Sequence, residues 1–142
     1  MAATPSSVHA VEFVTQQQRN ATAGRRRQVE SILACAEHLA PDDAFLLRQV
    51  FEHGLRIEDI ARQARLPRLR VYRRVRILLS RIDLPLFRFV VGHASLLDPA
   101  TRKVARLVVC HGLPQRETAD RLGISLHQVR QRLARVQTLA NL

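Results

Sequence analysis

Residues 52–75, EHGLRIEDIARQARLPRLRVYRRV, recur in outline as residues 110–133, CHGLPQRETADRLGISLHQVRQRL. The shift is 58 residues without a gap: His53-Gly54-Leu55 falls on His111-Gly112-Leu113, Ala61 on Ala119, Val71 on Val129 and Arg74 on Arg132. The match runs outward through Val50 and Val108, Arg48 and Arg106, Pro41 and Pro99, Leu39 and Leu97, and Ala36 and Ala94. In a chain so rich in Arg and Leu, eleven identities between residues 25–82 and 83–140 carry little weight by number. Their clustering around one motif is what points to an internal repeat.

The conservative matches define helices. Val29, Ile32, Leu33, Ala36 and Leu39 lie opposite Phe87, Val90, Val91, Ala94 and Leu97, an amphipathic stripe in both copies. A second helix starts at Pro41 or Pro99, with Asp98 as N-cap before Pro99, the arrangement a helix start prefers. It carries Leu46, Leu47, Val50 and Phe51, or Val104, Leu107 and Val108, and stops at Gly54 or Gly112, each suited to a left-handed C-terminal position. Third helices are predicted at Ile57–Arg65 and Gln115–Leu122, and fourth helices at Arg68–Arg81 and Leu126–Leu139. Ser125 with Gln128 reads as a capping box for the last of these. The expected fold is all-α: two tandem four-helix units, residues 25–82 and 83–142, packed as one body. Asp83-Leu84-Pro85 is too short a spacer for a flexible tether. Residues 1–24, polar and without a sustained period, are expected to be flexible.

A helix-turn-helix needs two short helices, a tight turn between them and a small residue where they approach. Ala61 and Ala119 occupy the small position, Leu66 and Ile124 are the expected apolar plugs of the turns, and Val71 and Val129 the inward anchors of the last helices. Gly123 supplies the second turn, whereas the first has Arg65. One copy alone leaves a plain helical bundle in contention; two copies with one spacing favour the motif. With Val71, Val75 and Leu78 facing in, the outward set is Arg68, Leu69, Arg70, Tyr72, Arg73 and Arg76. With Val129, Leu133 and Val136 facing in, it is Leu126, His127, Gln128, Arg130 and Gln131. Arg suits guanine by a bidentate contact and Gln suits adenine. Arg74 and Arg132 fall at the edge of the buried stripe, where phosphate contact and an internal ion pair are both open.

The formal charge of +11, carried by 23 basic residues of which only Lys103 is not Arg, asks for a polyanionic partner. Residues 68–76 hold five Arg and no acid, a face that repels itself unless a partner neutralises it. Aromatic content of 4% with no Trp argues against stacking platforms for single strands. No apolar stretch approaches the roughly 20 residues of a membrane span, and the start, MAATPSSVHAVEFV, lacks a signal-peptide layout, so a cytoplasmic location is expected. Cys35 with His38, and Cys110 with His111, fall short of four convergent metal ligands. Neither metal nor cofactor is expected. The acids are scattered and no nucleophile has a base at a workable spacing, so no enzymatic activity is expected either.

Two stretches then show a resemblance. LAPDDAFLLRQVFEHGLRIEDIARQARLPRLRVYRRVRILLSRI (residues 39–82) and LLDPATRKVARLVVCHGLPQRETADRLGISLHQVRQRLARV (residues 96–136) each resemble the helix-turn-helix region by which bacterial sigma factors read the −35 promoter element. The second is also similar to the DNA-binding domain of quorum-sensing-type response regulators. No segment resembles the aromatic-rich sigma region that melts the −10 element. The resemblance implies a nucleoid-associated bacterial transcription regulator on double-stranded DNA rather than a complete sigma factor. The rival it implies is a module that docks on RNA polymerase, a sigma factor or another transcription regulator. Phe87 and Phe89, on one short helix, are the expected apolar patch for such docking.

Overall fold

The computed structural model describes residues 5–142, with side chains from residue 19 onward. Among the described residues there are eight α-helices and no strand: α1 (Pro5–Ala36), α2 (Pro41–Phe51), α3 (Ile57–Ala64), α4 (Arg68–Asp83), α5 (Pro85–Gly92), α6 (Pro99–Ala105), α7 (Gln115–Leu122) and α8 (Leu126–Ala140). A 3-10 turn, Ala94–Leu96, follows α5, and a π-helical turn, Arg106–Cys110, prolongs α6. The flexible segment expected over residues 1–24 falls partly outside the described residues. From Pro5 on, the backbone belongs to α1, where the Gln- and Ala-rich sequence contains good helix formers and, up to Ala36, no further Pro.

Residues up to Ser31 and residues Ile32–Leu142 form separate compact units. The larger unit is organised around one central core. Leu47 of α2, Leu78 and Ile82 of α4, Phe87 and Val90 of α5, Cys110 of the π-helical turn and Val136 of α8 meet there. Two smaller cores flank it: Ile60, Ala61 and Val71 between α3 and α4, and Val104, Ala119 and Val129 among α6, α7 and α8. The inward anchors expected from the sequence are therefore buried, and α5 packs against both α4 and α8.

The helices after α2 and after α6 follow the same backbone plan. α3 and α7 start at Ile57 and Gln115, and α4 and α8 at Arg68 and Leu126, each 58 residues apart. The turn hydrogen bonds recur at that offset. Leu66 N donates to Ala61 O at 2.9 Å and Ile124 N to Ala119 O at 3.1 Å. Val71 N donates to Pro67 O, and Val129 N to Ser125 O. Gly54 and Gly112, with φ of 63° and 71°, end α2 and the π-helical turn in the left-handed conformation, which costs a side-chain-bearing residue about 1–2 kcal/mol.

Three expectations need correction. Leu66 is exposed rather than a plug, because Leu55 and Ile57 already fill the core beside Ala61; Ile124 does pack inward, where residue 115 is Gln and offers no such filling. Phe89 is no free docking patch: Phe87 is fully buried, and Phe89 leans on the same central core with its ring 5.3 Å from that of His93. The stripe that was to continue to Leu97 leaves α5 at Gly92, and the 3-10 turn delivers Leu97 into the core instead.

Candidate nucleic-acid interface

α8 begins at Ser125, whose hydroxyl accepts from Gln128 N at 3.1 Å while Gln128 Oε1 accepts from Ser125 N at 3.0 Å. This reciprocal cap fixes the helix start. Val129 and Val136 are buried, so the residues between them on the other side face outward. His127, Gln128, Arg130 and Gln131 are exposed, and Leu126 is half-buried. Gln128 uses its amide oxygen in the cap, and a bidentate contact with adenine needs both oxygen and nitrogen. The oxygen keeps a second lone pair, so the cap orients Gln128 and leaves it in the outward polar set with His127, Arg130 and Gln131. Arg130 makes no ion pair among the described residues.

The turn before α8 is set by Gly123, at φ 66°. The equivalent turn before α4 has Arg65 at φ 56°, the one non-glycine residue with positive φ among the described residues. The turn geometry is thus kept despite the departure in sequence, at a conformational cost. α4 has Pro67 at its N-cap and no capping side chain. Arg68, Leu69, Arg70, Tyr72, Arg73, Arg74 and Arg76 are all exposed. Arg68 pairs with Glu58 at 3.2 Å, and the Arg76 guanidinium lies 5.9 Å from the Tyr72 ring centre. Arg70 and Arg73 make no ion pair among the described residues.

Arg74 and Arg132 show the internal-ion-pair use that the sequence left open. Arg74 grips Asp43 with both Nε (3.0 Å) and Nη2 (2.8 Å), tying α4 to the first turn of α2. Arg132 reaches Asp98 and the Thr101 hydroxyl, each at 3.5 Å, tying α8 to the start of α6. Asp98 caps α6, and the hydroxyl and amide of Thr101, with Arg135 beyond them, hold its carboxyl down to about 2. Arg81, nearly buried, donates to Cys110 O at 3.3 Å and stands 3.9 Å from Asp43. A Cβ built on Gly112 would fall 2.6 Å from the Arg81 Cζ, so a side chain there displaces the guanidinium, in addition to the strain of the positive φ.

Burial pushes the Cys110 thiol up to about 11 and the Cys35 thiol upward, which disfavours the thiolate at both. Burial, then Arg106, lowers the pKa of His111. Among the described residues no group of three or more His, Cys, Asp or Glu is placed to hold a metal ion, and no helix is long and apolar enough to cross a membrane.

Residues 95–137, from the 3-10 turn through most of α8, match the family model described as sigma-70, region 4, a helix-turn-helix domain of transcription. The match covers α6, α7 and the outward face of α8. No curated protein and no solved structure was found to match the chain.

What the sequence had not singled out is the surroundings of α4. Phe45 and Ile77, which the sequence did not single out, join Leu66 and Leu69, all exposed, in lining one groove of about 1160 Å³ among α2, α3 and α4. A signal was present: Phe45-Leu46-Leu47 and Ile77-Leu78-Leu79 are runs of three apolar residues. At 100° per residue such a run covers more of a helix than one buried stripe needs.

Proposed function

We propose that this protein is a sequence-specific transcription regulator of double-stranded DNA, built from two tandem helix-turn-helix units, residues 25–82 and 83–142, after a separate segment 1–24. In this reading α8 enters the major groove and His127, Gln128, Arg130 and Gln131 reach base edges. Arg70, Arg73 and Arg76 of α4 contact phosphates, while Arg74 and Arg132 hold the reading helices in place. The observation that carries the proposal is the outward face of α8. It is a capped helix whose polar residues are exposed, with Arg130 unpaired, inside the segment that matches sigma-70 region 4. The location is the bacterial nucleoid; no catalysis and no cofactor is proposed.

The reading is tested by titrating the chain with duplex DNA over a range of salt. Six to ten phosphate contacts give a log–log slope of about −5 to −9. Arg130→Ala or Gln131→Ala should relax preference at particular base pairs by roughly 1–3 kcal/mol each. A slope near zero, or no duplex binding at low salt, overturns the DNA reading and leaves docking on the transcription apparatus.

A further inference from the structure

The apolar side chains of the groove lined by α2, α3 and α4 do not suit DNA, whatever the arginines at its rim contact. Phe45 is 61% exposed, Leu69 54%, Ile77 51% and Leu66 40%. Protein–DNA interfaces are more polar than protein–protein interfaces, and phosphates gain nothing from four clustered apolar side chains. The residues 58 positions further on sharpen the contrast. Where α2 and α4 carry Phe45, Leu69 and Ile77, α6 and α8 carry Lys103, His127 and Arg135. The same backbone plan thus presents a polar face in the second copy of the repeat and an apolar one in the first.

We infer that this groove docks an acidic amphipathic helix from a partner protein. Apolar grooves between helices accept a helix that inserts residues at i, i+3, i+4 and i+7. The charge at the rim selects its flanks. Arg70 and Arg73, one turn apart on α4, line the groove and make no ion pair among the described residues. Arg74 is held by Asp43, and Asp42 is the single carboxylate in the lining. A second copy of this chain, at +11, would bring one basic rim against another, and a basic helix would do the same; a helix with carboxylates beside its apolar stripe meets both features. This inference does not depend on α8 reading DNA, because it uses residues of α2, α4 and the turn before α4.

Two synthetic helix-forming peptides test it against the full chain: one with a Leu stripe flanked by Glu, and its twin with Lys for Glu. The acidic peptide should bind at least about tenfold more tightly than the twin, and more weakly as salt rises. Phe45→Gln with Ile77→Gln, both on exposed helix positions, should keep the melting temperature and duplex-DNA affinity while weakening the acidic peptide by about tenfold or more. Arg70→Glu with Arg73→Glu should reverse the preference toward the lysine twin. No binding of the acidic peptide, equal binding of the twins, or unchanged binding by the Gln pair overturns the proposal. So does a dimer of the intact chain that the Gln pair abolishes, which would assign the groove to self-association. Loss of DNA binding on substituting α8, with peptide binding retained, would leave this inference standing alone.

Discussion

Single residues carry much of the architecture's cost and can be tested one at a time. Arg65 holds a left-handed conformation that Gly123 holds freely in the equivalent turn. Arg65→Gly should therefore raise stability, by roughly 0.5–1 kcal/mol after the entropy cost of glycine is offset, read from the denaturant midpoint; a loss of stability would mean that the Arg65 side chain contributes more than its backbone costs. Gly54 and Gly112 share a positive φ but not a neighbourhood. Nothing lies within 4 Å of a Cβ at Gly54, whereas one at Gly112 would meet the nearly buried Arg81. Gly54→Ala should cost about 1–2 kcal/mol, and Gly112→Ala more, on the order of 3 kcal/mol, because Arg81 must give up Cys110 O to make room. Equal costs would show that Arg81 moves freely. Asp98 supplies a pH dependence. Its folded pKa, about 2, lies below the unfolded value of about 3.9. The folded state thus binds fewer protons than the unfolded one in that range. The contribution is complete above about pH 5 and is lost as the pH falls through 4 towards 2. Asp98→Asn should flatten the fall in stability between pH 4 and 2, measured by denaturant midpoints; an unchanged slope would show that Thr101 and Arg135 do not govern it.

At the scale of the element, helix starts and stops were legible because they depend on local chemistry. Pro41 and Pro99 at helix starts, Asp98 and Ser125 as caps, and Gly54, Gly112 and Gly123 at positive φ stand where the residue types require. Ser125→Ala removes the hydroxyl that accepts from Gln128 N and should cost α8 about 1 kcal/mol. Its effect on DNA affinity, compared with that of Gln128→Ala, separates capping from base contact. If Gln128 only caps, the two variants should lower affinity alike and leave sequence preference intact, as a binding-site selection would show. A change of preference confined to Gln128→Ala would show that this side chain contacts a base edge as well as capping. What was not legible is which side of a helix has a neighbour. Periodicity names an apolar face, but Phe45 and Ile77 are apolar and uncovered because, among the described residues, no element packs over them. Leu66 looked like a plug because its residue type fits, yet Ile57 and Leu55 already occupy the space. The π-helical turn at Arg106–Cys110 left no mark in the sequence, since the repeat register passes through it without a gap. For the candidate site, the outward residues of α8 could be named in advance. The cap that engages Gln128 and the ion pairs that engage Arg74 and Arg132 depend on partners that only the folded chain brings near.

For the whole molecule, the shared core sets how α4 and α8 can act together. Leu78 and Ile82 of α4, Phe87 of α5 and Val136 of α8 belong to one buried cluster. α5 touches both α4 and α8, and the spacer before it is Asp83-Leu84-Pro85. Within Ile32–Leu142 the two helices are thus parts of one compact unit rather than beads on a tether. If both enter DNA, as proposed, their separation is fixed, and a footprint should cover two adjacent major-groove segments about 10 base pairs apart. Moving one half-site by about 5 base pairs puts it on the opposite face of the duplex and should abolish the high-affinity complex. The arginines of α4 add a second reading of the same experiment. Arg70→Ala with Arg73→Ala should weaken binding to every sequence and flatten the salt slope by about 2, because each arginine removed from a phosphate leaves one more counterion condensed on the DNA. Since the acidic helix proposed for the groove would use these two arginines, saturating the chain with the acidic peptide should flatten the slope by the same amount. The base preferences of α8 should then remain unchanged. A complex that tolerates the half-site shift, and whose slope responds to neither treatment, would mean that α4 never contacts DNA. Duplex binding would then belong to α8 alone, with α2 and α4 left to the partner.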